Sequence, residues 1–348
     1  MHKWLGIGTG VLFLITAMSG VLLLFYSELN LRGLHETDTS SSIIDYAPAI
    51  ADMIDEHPGS RLVGIYVPAE KADRKTWQIF LKPADRDERI VGNLDPKTGE
   101  IISEHDYYSL AFGFLLKLHF SYFAATAGEI AAWIVSLALT LLSLSGLWIY
   151  RGAIKDLFRW RLSRKSSSRR TVTWLHKWTG LWSIALALIW GITGFLYMLV
   201  IAPRAFSPPP PPKPATESAQ LRSLAEMPKI HAAAQAAFPE RPTTFIRFGF
   251  PEGEDPQVRF RFLLREALPW HKFGEVIVNA RTGEIAEVIQ PHQRSTSGKY
   301  FATLATLHFG FYGGRMMQLI WAIGGIVMIF LPISGYIMWL RKRKRTRP

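Results

Sequence analysis

The chain repeats the same order of histidines and apolar segments. The tripeptide His-Lys-Trp at 2–4 precedes a long apolar run, and the same tripeptide at 176–178 precedes another. A second histidine follows in each half, within Leu-His-Phe at 118–120 and at 307–309. Self-similarity of this kind indicates two copies of one structural unit. The fold is therefore constrained to a duplicated unit with two histidines per copy, and histidine is the commonest metal ligand in proteins.

Short motifs keep their order in both halves. A hydroxyl residue followed by glycine occurs at two matching places in each copy, and a Thr-Gly-Glu turn occurs at one. The paired positions are Ser19-Gly20 with Thr193-Gly194, Ser145-Gly146 with Ser334-Gly335, and Thr98-Gly99-Glu100 with Thr282-Gly283-Glu284. These matches predict that the two copies follow the same backbone path.

Four segments are long and apolar enough to cross a bilayer, which takes about 20 helical residues. We predict transmembrane helices at 1–27, 128–150, 175–202 and 316–340. The first is longer than the apolar core of a signal peptide, and its counterpart lies deep in the chain, so we expect it to remain as a helix. The predicted fold class is membrane α-helical, with four transmembrane helices in two parallel repeats.

Basic residues predict the orientation in the membrane. The loop at 151–174 contains eight lysines and arginines against the single acid Asp156, and the tail at 341–348 contains six. Since cytoplasmic loops are enriched in lysine and arginine, we place both segments and both termini on the cytoplasmic side of a bacterial inner membrane. That side then carries more net charge than the +12 of the whole chain. Topology accounts for the basic runs, so we expect attraction to membrane lipid and no nucleic-acid partner.

The segments at 28–127 and 203–315 are predicted to lie in the periplasm. Each contains a helix followed by three strands and by the Thr-Gly-Glu turn that leads into a further strand, which predicts a small α+β domain in each repeat. The helices are expected at 47–56 and 228–237, and the strands at 61–67, 76–82, 89–94, 243–250, 257–264 and 274–279. A proline-rich stretch at 207–214 precedes the second domain and is predicted to be a stiff linker.

The sequence lacks the motifs of several enzyme classes. It contains no cysteine, which excludes thiol nucleophiles, disulfides, iron–sulfur clusters held by thiolates and covalently attached haem. No metalloprotease, serine-hydrolase or nucleotide-binding motif opens a soluble segment. A redox cofactor in this chain must therefore be held by histidine.

The four repeated histidines form two pairs in the predicted topology. His2 and His176 lie at the cytoplasmic ends of two helices, whereas His119 and His308 lie near the periplasmic ends of the others. About 30 Å of hydrocarbon separates the two faces, so a shared metal must join residues of one face. Two imidazoles suit the axial positions of a haem iron, and zinc or copper would need further ligands. The alternative is four interfacial histidines beside aromatic belts.

Glycines and cations surround these positions in the predicted topology. A flat macrocycle needs clearance, which Gly20 and Gly194 would provide near the periplasmic pair and Gly146 and Gly335 near the cytoplasmic pair. Long cations close to the histidines are candidates for pairing with haem propionates, although such residues at a membrane edge commonly extend toward water. The candidates are Lys3, Lys177, Lys117 and Arg315.

These motifs together resemble the PepSY-associated transmembrane family over essentially the whole chain. Among its compact four-helix members the chain is similar to inner-membrane ferric-siderophore reductases of the FoxB type. The resemblance implies PepSY-like periplasmic domains and two non-covalent b-type haems. It also implies an oxidoreductase that passes electrons outward to ferric siderophore and releases Fe(II). The histidines that match the family motif are His2, His119, His176 and His308, as axial iron ligands.

The electron donor and the function class stay open at this point. A cytoplasmic reductase or a quinol could supply the electrons. Aromatic residues beside the periplasmic histidines are candidates for a docking surface, namely Tyr107, Tyr108, Tyr122, Phe309 and Tyr312. Two other classes remain: a non-enzymatic envelope protein whose PepSY-like domains bind or regulate a periplasmic partner, and an accessory subunit of a metal transporter.

Overall fold

The structure is a computed structural model that describes ten stretches of the chain. They are 1–25, 46–67, 77–86, 88–95, 98–152, 168–205, 227–249, 257–264, 273–310 and 313–343. Two compact units divide the chain: a helical unit of residues 1–25, 115–208 and 301–348, and a sheet unit of residues 26–114 and 209–300. The proline-rich linker at 207–214 and most of the basic loop and tail lie outside the described residues.

The described helices and strands follow the order predicted for a duplicated chain. In the first half they are α1 (His2–Leu23), α2 (Ala47–Glu56), β1 (Arg61–Tyr66), β2 (Trp77–Lys82), β3 (Ile90–Leu94), β4 (Ile101–Asp106), α3 (Ala111–Ser121) and α4 (Ala125–Tyr150). In the second half they are α5 (Ser168–Trp182), α6 (Ile184–Ala205), α7 (Met227–Ala237), β5 (Thr243–Gly249), β6 (Gln257–Leu263), β7 (Phe273–Asn279), β8 (Ile285–Ile289), α8 (Thr296–Phe309) and α9 (Gly314–Arg343).

Three helices of the helical unit are long and apolar enough to cross a membrane. They are α1, α4 and α9, and the bent pair α5–α6 adds a fourth if it is taken as one span. The uninterrupted span predicted at 175–202 is thus broken, because the chain bends by 64° between Trp182 and Ile184. The hydroxyl of Ser183 donates to the carbonyl of Gly180 at 3.3 Å, and such hydroxyl-to-backbone bonds at glycine and serine commonly bend helices.

His119 and His308 lie on the short helices α3 and α8, within the segments predicted to precede the spans at 128–150 and 316–340. Helix α3 ends at Ser121, and the turn into α4 holds Tyr122 and Phe123 at positive φ, an uncommon conformation for residues other than glycine. Gly128 of α4 faces the carbonyl of Ser121 so closely that no Cβ fits there. A short helix and a tight turn therefore position His119 ahead of a spanning helix, and a short helix likewise carries His308 ahead of α9.

The sheet unit contains one antiparallel sheet of eight strands. The strand order is β4-β3-β2-β1-β5-β6-β7-β8, so each half contributes a four-stranded meander. The two segments predicted as separate domains are joined where β1 pairs with β5, with Ile65 opposite Ile246. On either side of this central pair, Gly64 is opposite Arg247 and Tyr66 is opposite Phe245, and the strand order is the same outward from the pair in both directions. The two meanders are therefore related by an approximate two-fold axis at the Ile65–Ile246 pair.

One face of this sheet forms a core with α2 and α7. In α2 the buried residues follow helical spacing, with Ile50, Met53 and Ile54 all on the face that packs on the sheet. A glycine on the third strand of each meander leaves room for the helix. A Cβ at Gly92 would lie 2.5 Å from Met53, and a Cβ at Gly274 would lie 2.6 Å from Phe238. Each half thus uses a glycine of its third strand to make room, for Met53 of α2 in the first half and for Phe238, the residue after α7, in the second.

Candidate functional site

His119 is held against α1 by two hydrogen bonds to one ring nitrogen. Its Nδ1 lies 2.9 Å from the carbonyl oxygen of Thr16 and 3.2 Å from the hydroxyl of Ser19. A carbonyl only accepts, so Nδ1 carries the proton and donates it. In the neutral ring Nε2 is then unprotonated, with its lone pair free. That is the form in which histidine binds metal.

His308 has the equivalent partner in the second half. Its Nδ1 lies 2.8 Å from Oγ1 of Thr193, and that hydroxyl donates its only proton to the carbonyl of Ile189 at 2.6 Å. Nδ1 must therefore be the donor in the His308–Thr193 bond. The indole nitrogens of Trp190 and Trp321 donate to the carbonyl of His308 at 3.0 and 3.2 Å, which fixes the backbone that carries the ring.

The other two histidines repeat this pattern at the start of α1 and in α5. His2 Nδ1 lies 2.9 Å from Oγ of Ser145, and His176 Nδ1 lies 2.7 Å from Oγ of Ser334. Each serine donates its proton to the carbonyl three residues earlier in its helix. All four imidazoles are thus oriented by a hydrogen bond at Nδ1, the arrangement typical of histidine ligands to metals.

A glycine follows each of these hydroxyl residues and faces the Cε1 atom of the same histidine. A Cβ at Gly20 would lie 2.9 Å from His119, and the corresponding distance from Gly194 to His308 is 3.6 Å. At the other end, Gly146 lies beside His2 at 3.5 Å and Gly335 beside His176 at 3.8 Å. The structure therefore places each predicted glycine beside a predicted histidine, and at Gly20 a side chain would press on the ring.

The structure brings His119 and His308 together. Their ring centroids are 6.2 Å apart and the ring planes make an angle of 73°. A metal–nitrogen bond of about 2 Å on either side, plus about 1 Å from each nitrogen to its ring centroid, requires a separation of about 6 Å. The spacing of the two rings therefore matches two imidazoles on opposite sides of one metal ion.

His2 and His176 line one cavity of about 320 Å³ inside the helical unit. Most of its lining is apolar, and matching residues of the two halves face it, including Gly6 with Gly180 and Lys3 with Lys177. A volume of this size is in the range of small-molecule and cofactor sites. Both histidines therefore border the same space.

The two pairs lie at opposite ends of the helical unit. His2 begins α1 and Gly20, the neighbour of His119, lies near its end. The intervening 18 residues correspond to about 27 Å of helix. The pairs therefore cannot share one metal ion, as the sequence analysis expected.

The remaining predicted residues have more varied positions. Lys3 and Lys177 line the cavity, and each also lies over an aromatic ring, that of Trp4 and that of Tyr150. Lys117 lies one turn or less from His119 along α3. Exposed Arg315 donates to Gln318 at 3.0 Å.

The aromatic candidates for a docking surface also differ in position. Tyr122 and Phe309 belong to the helical unit, where the Tyr122 hydroxyl lies 2.6 Å from that of Thr16 and Phe309 packs edge-on against His308. Tyr107 and Tyr108 contact each other in the sheet unit. Tyr312 lies outside the described residues.

The four hydroxyl partners are the functional residues that sequence reasoning missed. Ser19, Thr193, Ser145 and Ser334 were recognised as matching positions of the repeat, but no role was assigned to their side chains. The signal was present, since a hydroxyl residue precedes glycine at every one of these places. The sequence did not show which histidine contacts which of these hydroxyl residues.

These residues fit the haem implied by the sequence resemblance. The rings of His119 and His308 lie 6.2 Å apart, His2 and His176 line one apolar cavity, and a glycine lies beside each of the four oriented rings. Haem iron accepts two axial histidines and needs no thiolate. In this arrangement His119 and His308 would hold one haem, and His2 and His176 would hold the other.

The fold and the histidines define a membrane protein that combines a helical unit bearing oriented histidine pairs with a separate antiparallel sheet. A family model described as the PepSY-associated TM region matches residues 1–342. The chain belongs to this family. No curated protein matches the chain.

Proposed function

We propose that the protein is a dihaem b-type oxidoreductase of the bacterial inner membrane that reduces ferric siderophore in the periplasm. The observation that carries the proposal is the hydrogen bond at Nδ1 of each of the four repeated histidines. Each Nδ1 donates either to a carbonyl oxygen, which has no proton, or to a hydroxyl oxygen that already donates its own proton to a backbone carbonyl. Every Nε2 is therefore free to bind iron. Interfacial histidines of an aromatic belt have no need of four matching orienting bonds.

The bound cofactor would supply one-electron chemistry, with a potential set by its axial ligands and its burial. The residues of the chain do the rest. The hydroxyl partners keep each ring in one tautomer and one orientation, which preserves the bonding nitrogen. The glycines leave space beside the rings, and the apolar lining of the cavity excludes water.

The distance between the two pairs supports a transmembrane path. With both termini cytoplasmic, as the basic loop and tail predict, the His2–His176 pair faces the cytoplasm and the His119–His308 pair faces the periplasm. The two halves then act as parallel repeats about an axis along the membrane normal. A cytoplasmic reductase or a quinol would deliver electrons to the first pair.

The choice of acceptor rests on the sequence resemblance to ferric-siderophore reductases. Siderophores hold Fe(III) through hard oxygen donors. One added electron gives Fe(II), which such ligands bind far more weakly, so reduction releases the metal. The iron is the substrate in this scheme and is distinct from the iron of the cofactor.

The first test is the haem content of the full-length protein purified in detergent. We expect two b-type haems per chain by the pyridine haemochrome assay. His119→Ala and His308→Ala should each lose the same haem, and His2→Ala and His176→Ala the other, while exposed His292→Ala keeps both. A protein with no Soret band, or a common loss in His2→Ala and His308→Ala, would contradict the assignment.

The second test concerns the acceptor alone. Dithionite-reduced protein should be reoxidised by a ferric siderophore, with the Fe(II) captured by a ferrous chelator. Loss of a ligand of the periplasmic pair should abolish this reaction. Loss of a ligand of the cytoplasmic pair should spare it and instead block electron supply from the cytoplasmic side. If a haem-loaded protein stays reduced with catecholate, hydroxamate and carboxylate siderophores, the acceptor is wrong.

A further inference from the structure

A second cluster of metal-ligating side chains lies in the sheet unit, in the first half of the chain. Glu56 and His57 stand at the C-terminal end of α2, and Glu104 lies in β4. One ligand atom from each residue lies within 4.8 Å of the other two. Glu104 is paired across the sheet with Gly92, which packs on Met53 of α2. The helix and the strand thus present the three side chains on the same face of the sheet.

The cluster is incompletely satisfied. His57 Nε2 lies 2.9 Å from Oε2 of Glu104, but Oε1 of Glu104 is buried and has no hydrogen-bond partner among the described residues. A buried carboxylate oxygen without a donor or a cation is unfavourable. The side chains of His57 and Glu104 are 31% and 22% exposed, and Glu56 is exposed. An ion from solution can therefore reach the cluster.

The cluster does not belong to the duplicated pattern. The register of the third and fourth strands pairs Asn93 with Ser103 in the first half and Ile277 with Glu287 in the second, each pair beside a β-bulge. Val288 consequently takes the place of Glu104 in the second half. Helix α7 ends in alanine where α2 ends in glutamate and histidine. These three residues are specific to one half and play no part in the repeated histidine pairs.

We propose that Glu56, His57 and Glu104 bind one divalent transition-metal ion. An imidazole nitrogen and two carboxylate oxygens are ligands shared by Zn²⁺, Fe²⁺ and Mn²⁺. Three protein ligands leave a position for water, and the exposed side of the cluster provides room for it. On binding, the neutral His57 ring carries its single proton on Nδ1, so that Nε2 bonds the ion in place of its contact with Glu104, and the charge of the ion also satisfies the buried Glu104 oxygen. The site goes beyond the proposed function and does not depend on it.

The test is equilibrium dialysis of the full-length protein against Zn²⁺ and, separately, Mn²⁺, with the bound metal measured by mass spectrometry. The protein carries no affinity tag, retains its native cofactor and is first stripped of loosely bound metal. We expect one Zn²⁺ per chain at this site. His57→Ala and Glu104→Gln should each weaken binding by about tenfold or more. His105→Ala is the matched control, because exposed His105 is the next residue in β4 and points to the other face.

Three results would overturn the proposal. The first is that His57→Ala binds Zn²⁺ as well as the native protein does, and the second is that His105→Ala loses as much Zn²⁺ binding as His57→Ala. The third is that an equal concentration of Mg²⁺ displaces Zn²⁺, which would indicate an unspecific carboxylate pair. The variant Glu56→Gln is included because the exposed side chain of Glu56 is not needed for packing. If Glu104→Gln does not fold, weakened Zn²⁺ binding by folded Glu56→Gln still supports the site. Circular dichroism identifies folded variants.

Discussion

Replacement of Thr193 by valine tests whether the hydroxyl partner holds His308 in its metal-binding form. Valine keeps the shape of threonine and removes the oxygen that accepts from Nδ1 at 2.8 Å. Among the described residues His308 Nδ1 has no other hydrogen-bond partner, so the ring would keep a buried, unpaired N–H at a cost of about 1–3 kcal/mol. This corresponds to a loss of about 5- to 150-fold in cofactor affinity, in line with the 10- to 100-fold typical of such orienting partners.

The matched comparisons use Thr193→Ser and Ser19→Ala. Serine restores the hydroxyl and should restore affinity. His119 keeps the carbonyl of Thr16 at 2.9 Å when the Ser19 hydroxyl is removed, so Ser19→Ala should weaken binding by only about fivefold or less. The assay is the rate of haem transfer from the purified protein to excess apomyoglobin. Equal rates for Thr193→Val and Thr193→Ser, or a larger effect of Ser19→Ala, would refute the reasoning.

Three further predictions follow from the helices, the sheet and the charge pattern. Gly20→Ala places a methyl group 2.9 Å from His119 Cε1 and should lower the haem content of that site, whereas Gly8→Ala, which meets nothing within 4 Å, should not. Burial lowers the pKa of His231 from 6.5 to about 4. The unfolded chain then binds a proton that the folded chain excludes, so acidification from pH 6.5 to about 4 should lower the free energy of unfolding by up to about 3 kcal/mol. The measurement is denaturant unfolding followed by circular dichroism, and His231→Asn should not show this loss. A reporter fused after Pro348 should be active in the cytoplasm only, and periplasmic activity would reverse the topology.

Regular segments with a strong local pattern could be predicted from the sequence. The strand expected at 257–264 is observed at Gln257–Leu263, and the helix expected at 47–56 is observed as Ala47–Glu56. Alternating side chains and turn residues determine such elements locally. The pairing of β1 with β5 carried no comparable signal, because Ile65 and Ile246 are far apart in sequence and either strand could equally have formed an edge.

In the helical unit, hydropathy alone does not predict where a helix bends or ends. The apolar pattern runs unbroken through Ser183, so it predicted one span where the chain bends by 64°. Helices α3 and α8 end before the spans predicted at 128–150 and 316–340, and the apolar pattern did not predict them as separate helices. The predicted histidine pairs rest on the duplication, which relates equivalent residues of the two halves. Their hydroxyl partners could not be predicted, because a contact between His308 and Thr193 depends on how separate helices pack.

Under the proposed function, the distribution of these contacts would require both copies. Within the first half, α1 contributes His2 and the Ser19-Gly20 pair, while α3 and α4 contribute His119 and the Ser145-Gly146 pair. Each histidine is oriented by a residue of its own half, at both ends of the unit. One copy therefore builds one oriented imidazole at each end, and completes neither pair. The second copy supplies a second imidazole at each end, so under the proposed function duplication of a single half would produce two two-histidine sites separated by the length of a membrane helix.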